Sequence, residues 1–106
     1  MKVIYKRLLT KSGGEQDVIY VPGICVITYN HLLDTYLFSP KESWLRKYEK
    51  ARGKFEKEIE VDYNKILRLV EIGKLYIDPR GKLHSIEDIE FKNLFNSLVK
   101  HIFQLE

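Results

Sequence analysis

Apolar residues along the chain fall into two regimes. Over residues 2–29 they come in short runs rich in Val, Ile and Tyr, and from Trp44 onward they recur at spacings of three and four. The first regime predicts strands and the second helices. Residues 2–9 read as a strand, and Ser12, Gly13 and Gly14 supply a turn. Residues 17–21 and 24–29 read as strand again, with Pro22-Gly23 between them. That pair suits the second and third positions of a type II turn, or bends one long strand. Residues 24–27 are apolar at every position, which predicts a strand covered on both faces.

Residues 31–38 fit a short helix as well as a strand. Ser39-Pro40-Lys41-Glu42 then carries the marks of a helix start: Ser39 as cap, Pro40 in the first turn and Glu42 closing a capping box. Trp44, Tyr48, Ala51, Phe55 and Ile59 continue one apolar stripe, interrupted by Gly53. The helix either runs through Gly53 or stops there, since Phe55, Ile59, Val61 and Tyr63 also fit strand alternation, with Lys57 the exception. Asp62 is the expected cap of a second helix through Ile66, Leu67, Leu69 and Val70, ended by Gly73. Residues 74–78 and 82–84 flank Pro79-Arg80-Gly81 as a compact hairpin. Ser85, with Asp88 three residues on, is the expected cap of a last helix. Its stripe is Phe91, Leu94, Phe95, Leu98, Val99, Ile102 and Leu105.

These elements predict an α+β fold, a small antiparallel N-terminal sheet packed by C-terminal helices. The length of 106 residues allows one hydrophobic core, so residues 1–106 are expected to form a single domain. The order helix, helix, Gly, hairpin, helix over residues 40–105 resembles a winged helix-turn-helix. That resemblance implies DNA binding, with residues 63–72 as recognition helix exposing Asn64, Lys65 and Arg68. Arg80 and Lys82 would form the wing tip.

Composition narrows the classes. No apolar run approaches a membrane span, and residues 1–10 carry Lys2, Lys6 and Arg7 where a signal peptide would be apolar. No membrane partner and a cytoplasmic location are therefore expected. The single cysteine, Cys25, excludes an intramolecular disulfide and fits a reducing compartment. Abundant Lys, Glu, Ile and Tyr with little Gln and Asn resembles hyperthermophile composition, of the kind a small mobile-element or viral protein would carry. The net charge of +3 is too small to decide the ligand, so the placement of the charge matters more than its sum.

On a helix continuing past Gly53, Arg46, Lys47, Lys50, Lys54 and Lys57 fall on one flank, and Glu42, Glu49 and Glu56 on the other. Such a stripe can follow a phosphate backbone, with Arg68, Arg80 and Lys82 as secondary contacts. The plainer reading is a solvated face. The alternative role is a protein-interaction module or small regulator, docking or dimerising through Phe95, Leu98, Val99 and Ile102. Enzyme signals are thin. Cys25, His31 and Asp34 contain the residue types of a thiol nucleophile system, but Cys25 lies in an apolar strand. His31, His84 and His101 lack paired metal-ligand spacing, Glu87, Asp88 and Glu90 suit a helix start better than a cation, and no phosphate-loop motif is present. No catalytic residue and no cofactor are expected, and the partner is either a nucleic acid, DNA first, or a protein, including a second copy of the chain.

Overall fold

The computed structural model describes residues 1–104, which form five strands and three helices. The strands β1 (Lys2–Leu9), β2 (Glu15–Val21), β3 (Cys25–Asn30) and β4 (Thr35–Ser39) make an antiparallel meander. Helix α1 (Glu42–Lys50) then crosses to the far side, where β5 (Phe55–Glu60) pairs antiparallel with β1. The sheet order is β4-β3-β2-β1-β5. Helices α2 (Tyr63–Lys74) and α3 (Ile89–Gln104) complete the chain. The α+β class and the antiparallel N-terminal sheet are as the pattern predicts, and residues 31–38 resolve into a turn and β4.

Period-two alternation sends successive side chains to opposite faces. Val3, Tyr5, Ile19, Val21, Cys25, Ile27, Tyr36, Phe38 and Ile59 point to the face that α2 and α3 cover, and they form the larger core with Ile66, Leu69, Phe91, Phe95, Leu98 and Ile102. Val18, Tyr20 and Val26 point to the opposite face, where Tyr48 of α1 closes a smaller core with Trp44 and Leu45 beside it. Of the apolar run 24–27, Cys25, Val26 and Ile27 are buried on both faces as predicted, while Ile24 is exposed in the turn before β3. Between β2 and β3, Ile24 donates its N–H to the Val21 carbonyl and Gly23 has φ +74°, a type II turn of the predicted kind.

Several boundaries differ from the sequence pattern. Helix α1 stops at Lys50, and Lys57 lies in β5 beside Tyr5 of β1. Lys41, not Ser39, is its N-terminal boundary; Ser39 ends β4, fully buried, and its Oγ accepts the Lys41 N–H at 3.2 Å. Asp62 caps α2 as expected, accepting from the Asn64 N–H at 2.9 Å. Gly73 does not end that helix. It sits inside α2, where a Cβ would fall 2.4 Å from the Phe38 ring, so glycine serves close helix–sheet packing. Asp88, not Ser85, caps α3 by accepting the Phe91 N–H. The 74–84 hairpin is reduced to one bridge, Ile77 to Leu83. Leu105, the last member of the predicted stripe, lies outside the described residues.

The winged helix-turn-helix order is not present. Strand β5 stands between α1 and α2, and the two helices pack on opposite faces of the sheet. The sequence pattern hid this because residues 55–61 satisfy both helical spacing and strand alternation.

Candidate functional site

Helix α1 lies on the sheet through Trp44, Leu45 and Tyr48, which leaves its outer half in solvent. Arg46, Lys47 and Lys50 project from that outer half, and Lys41 and Arg52 are exposed at its two ends. Glu42 and Glu49 stand on the other flank, as the helical spacing predicts. None of these five cations has an ion-pair partner among the described residues, and Lys47 lies 5.2 Å from the centre of the Tyr48 ring.

The rest of the predicted stripe is dispersed. Lys54 falls in the α1–β5 connection and pairs with Glu15 at 2.6 Å. Lys57 points to the opposite face of the sheet, beside Phe55 and Ile59. The break at residues 51–54 removes both from the helical flank. Arg68 holds Glu90 through two nitrogens at 2.7 Å and also reaches Glu71, which ties α2 to α3. Hydrogen bonding and attraction to Glu90 raise the Arg68 pKa, and the same contact lowers that of Glu90. Arg80 and Lys82 are exposed in the α2–α3 connection, on the layer opposite α1. The Asp78 carboxylate shapes that turn by accepting the N–H groups of Arg80 and Lys82 and contacting His84, and its pKa is lowered by the His84 contact first.

The proposed docking residues are core residues. Phe95, Leu98 and Ile102 are at most 4% exposed and pack under the sheet, with Val99 half-buried beside them. Phe95, Leu98 and Ile102 are therefore spent inside the domain.

Beneath α1 is a residue that sequence reasoning missed. Lys6, in the internal strand β1, is 4% exposed, and its ammonium donates to the carbonyls of Tyr48, Glu49 and Ala51 at 2.8, 2.9 and 2.8 Å. It caps the C-terminal end of α1, where unpaired carbonyls and the helix dipole concentrate negative charge. Glu56 stands 3.6 Å from the same ammonium. A cleft of about 300 Å³ opens above it, lined by Lys6, Glu49, Lys50, Arg52 and Glu56.

A second polar cluster lies on the other face. The Asp17 carboxylate, 3% exposed, accepts from Tyr5 Oη and from Arg7 Nε at 3.0 Å, and lies 2.6 Å from His31 Nε2. Burial first, then the bond to Asp17, raises the Tyr5 pKa. Burial opposes the Arg7 charge, but its contacts with Asp17 outweigh that and raise its pKa. These residues are scattered along the sequence, and only strand register brings them together.

The candidate thiol system is not assembled. Cys25 is buried at one end of β3 with its pKa pushed up to about 12 by desolvation, while His31 binds Asp17 beyond the other end and Asp34 accepts from Tyr29 Oη at 2.8 Å. Glu87, Asp88 and Glu90 are engaged by Lys92, the α3 cap and Arg68. Among the described residues no group of His, Cys, Asp or Glu could hold a metal ion, and no helix is long and apolar enough to cross a membrane. No protein-family model matches the chain, and no curated protein or solved structure is significantly similar to it.

Proposed function

We propose that the protein binds nucleic acid, duplex DNA first, without catalysis, through the outer face of α1. The observation that carries this reading is the clustering of unpaired cations on one helix flank. Lys2, Lys6, Arg7, Lys54, Arg68 and Lys92 each have an acidic partner, while Arg46, Lys47 and Lys50 share one helix flank with none among the described residues. Lys41 and Arg52 are exposed at the two ends of the helix. Unpaired cations on a rigid support suit a line of phosphates.

Lys6 supports the reading from below. A bare helix C-terminus repels phosphate, because its carbonyl ends carry partial negative charge. The buried ammonium occupies those carbonyls, so Lys50 and Arg52 remain available for a ligand. The flank carries one small polar side chain, Ser43, and no Asn or Gln suited to reading base edges. Lys and Arg contacts to phosphates position a duplex without reading its sequence. Lys54, Lys57 and Arg68 have structural surroundings instead, and Arg80 and Lys82 contribute only to a ligand that wraps the opposite layer.

The test is charge reversal of Arg46, Lys47 and Lys50 to Glu together, with binding followed by fluorescence anisotropy on duplex DNA, single-stranded DNA and RNA at low salt. All three side chains are exposed, so the variant should stay folded, with a small loss of stability from acidic residues in the last turn of the helix, and should lose binding. A wild type that binds none of the three nucleic acids, or a variant that binds as well as wild type, contradicts the proposal.

A further inference from the structure

We infer that the end of the sheet carrying Leu9, Leu32 and Leu33 docks on the surface of an anionic lipid bilayer. The inference is independent of the nucleic-acid reading, and surface docking needs no spanning helix.

Strand β1 ends at Leu9, β2 begins at Glu15, β3 ends at Asn30 and β4 begins at Thr35, so the β1–β2 and β3–β4 turns stand side by side at one end of the sheet. Leu9, Leu32 and Leu33 are 65%, 61% and 68% exposed there. They form one group. Leu9 is the register partner of Glu15, whose carbonyl accepts the His31 N–H at 3.0 Å. Leu32 leans on the first turn, since a Cβ on Gly14 would fall 3.1 Å from the Leu32 Cβ. With neighbouring strands about 4.8 Å apart, the group spans roughly 15 Å. Exposed apolar residues scattered singly are ordinary, but three leucines on adjoining turns are a patch.

Much of the main chain at these turns is bonded internally. Leu33 donates its N–H to Asn30 Oδ1 at 3.0 Å, and its carbonyl accepts from Thr35 Oγ1 at 3.1 Å. In the first turn the Thr10 N–H meets the Gly14 carbonyl at 2.8 Å, and the Gly14 N–H reaches Thr10 Oγ1 at 3.1 Å. Leaving water costs most for unpaired N–H and C=O groups, so turns bonded in this way enter a bilayer interface at low cost.

Cations rim the leucines. Lys11 is exposed two residues beyond Leu9, and Arg52 shares with Leu8 and Leu9 a cleft of about 500 Å³ that no acidic residue lines. Neither cation has an ion-pair partner among the described residues. The acids nearby are held: Glu15 by Lys54 at 2.6 Å, Asp17 by Arg7 at 3.0 Å, and Asp34 by the Tyr29 hydroxyl at 2.8 Å. Apolar side chains that enter the interface, with Lys and Arg at headgroup level, suit an anionic membrane surface. Three leucines fall well short of the roughly 800 Å² per partner that a stable protein interface buries, which disfavours a second copy of the chain. A fluid bilayer conforms to a small convex tip.

The experiment is flotation of the intact protein with vesicles of phosphatidylcholine alone and of phosphatidylcholine mixed with phosphatidylserine. Leucine methyl resonances are then followed by NMR on vesicles carrying a nitroxide-labelled lipid. Binding should be clear on the mixed vesicles and weak on phosphatidylcholine alone. The methyls of Leu9, Leu32 and Leu33 should broaden, while those of Leu75, 80% exposed just after α2, should not. Leu32→Ser with Leu33→Ser should weaken binding by about tenfold or more, the loss of two apolar anchors. Lys11→Gln should weaken it about fivefold on the mixed vesicles, the effect of one cation at a charged surface. Leu75→Ser should leave it unchanged. No binding to the mixed vesicles overturns the proposal. So does unchanged binding in the Leu32, Leu33 variant, which would place the lipid on the α1 flank. Leucine-dependent dimers in sedimentation without lipid would mean that a second copy covers the tip, and would overturn it too. The leucine variant should bind duplex DNA as the wild type does, so each proposal can fail alone.

Discussion

The Lys6 ammonium donates to the main-chain carbonyl of Tyr48 at 2.8 Å, so an internal strand supplies the C-terminal cap of a helix more than forty residues later. The same nitrogen reaches the Glu49 and Ala51 carbonyls. Lys6→Met keeps the apolar stem and removes all three bonds. Hydrogen bonds to a charged donor contribute about 1.5–3 kcal/mol each at most and are not additive, so a loss of about 2–4 kcal/mol is expected. Urea unfolding measures it, and the last turn of α1 should show faster amide exchange. A variant as stable as wild type would mean that water caps the helix equally well.

Gly73 and Phe38 make the second tight relationship. Alanine is the better helix former, by about 0.8–1.0 kcal/mol. Its Cβ would lie 2.4–2.8 Å from three atoms of the Phe38 ring, which cannot bend away. Gly73→Ala should therefore destabilise, by about 1–3 kcal/mol, the usual result of overpacking. Adding Phe38→Leu should recover part of the loss, and a double-mutant cycle reads the coupling.

Phe95 tests the reassignment of the α3 stripe from docking surface to core. Its ring centre is 5.5 Å from that of Tyr36 and 6.5 Å from that of Tyr29, and the side chain is 1% exposed. Phe95→Ala should cost about 3–5 kcal/mol. If that variant unfolded at the same denaturant concentration as wild type, the core assignment of α3 would fail.

The β-meander was legible because its apolar runs are separated by turn residues with one dominant reading, Pro22-Gly23 above all. The α1–β5 boundary was not. Phe55 and Ile59 satisfy a period of 3.6 and a period of 2 alike, and Gly53 marks a break that either a helix or a strand can succeed. That ambiguity carried Lys54 and Lys57 into a stripe the structure limits to Arg46, Lys47 and Lys50. Gly73 reads as a helix stop from sequence, since nothing local reveals a phenylalanine packed against it from β4. Lys6 and Asp17 were invisible for a related reason. A charged residue in a strand reads as solvent-facing unless both faces of the sheet are known to be covered.

Ionisation offers an independent check on burial. The Cys25 thiol and the Tyr29 phenol are both pushed up to about 12, the first by desolvation and the second by its bond to Asp34 and then by burial. In the unfolded chain they titrate near their ordinary values, about 8.5 and about 10. Between those values and about 12 the folded state holds more protons, so stability falls as pH rises. This contribution should be complete below about pH 8.5 and lost progressively above it. Chemical denaturation between pH 7 and pH 11 reads the slope. Iodoacetamide should leave native Cys25 unmodified at pH 8 and alkylate it under denaturing conditions; rapid native labelling would place the thiol in solvent.

The central claim is that exposed cations on α1 contact phosphates, and the salt dependence of DNA affinity tests it most directly. Each phosphate neutralised on duplex DNA contributes about −0.9 to the slope of log affinity against log salt. Arg46, Lys47 and Lys50, with Lys41 and Arg52 at the ends, predict a slope of roughly −3 to −4.5 for three to five contacts. In the variant carrying Arg46→Gln, Lys47→Gln and Lys50→Gln, the slope should fall in magnitude by about 2.7. A wild-type slope near zero, or one unchanged in that variant, would contradict the account.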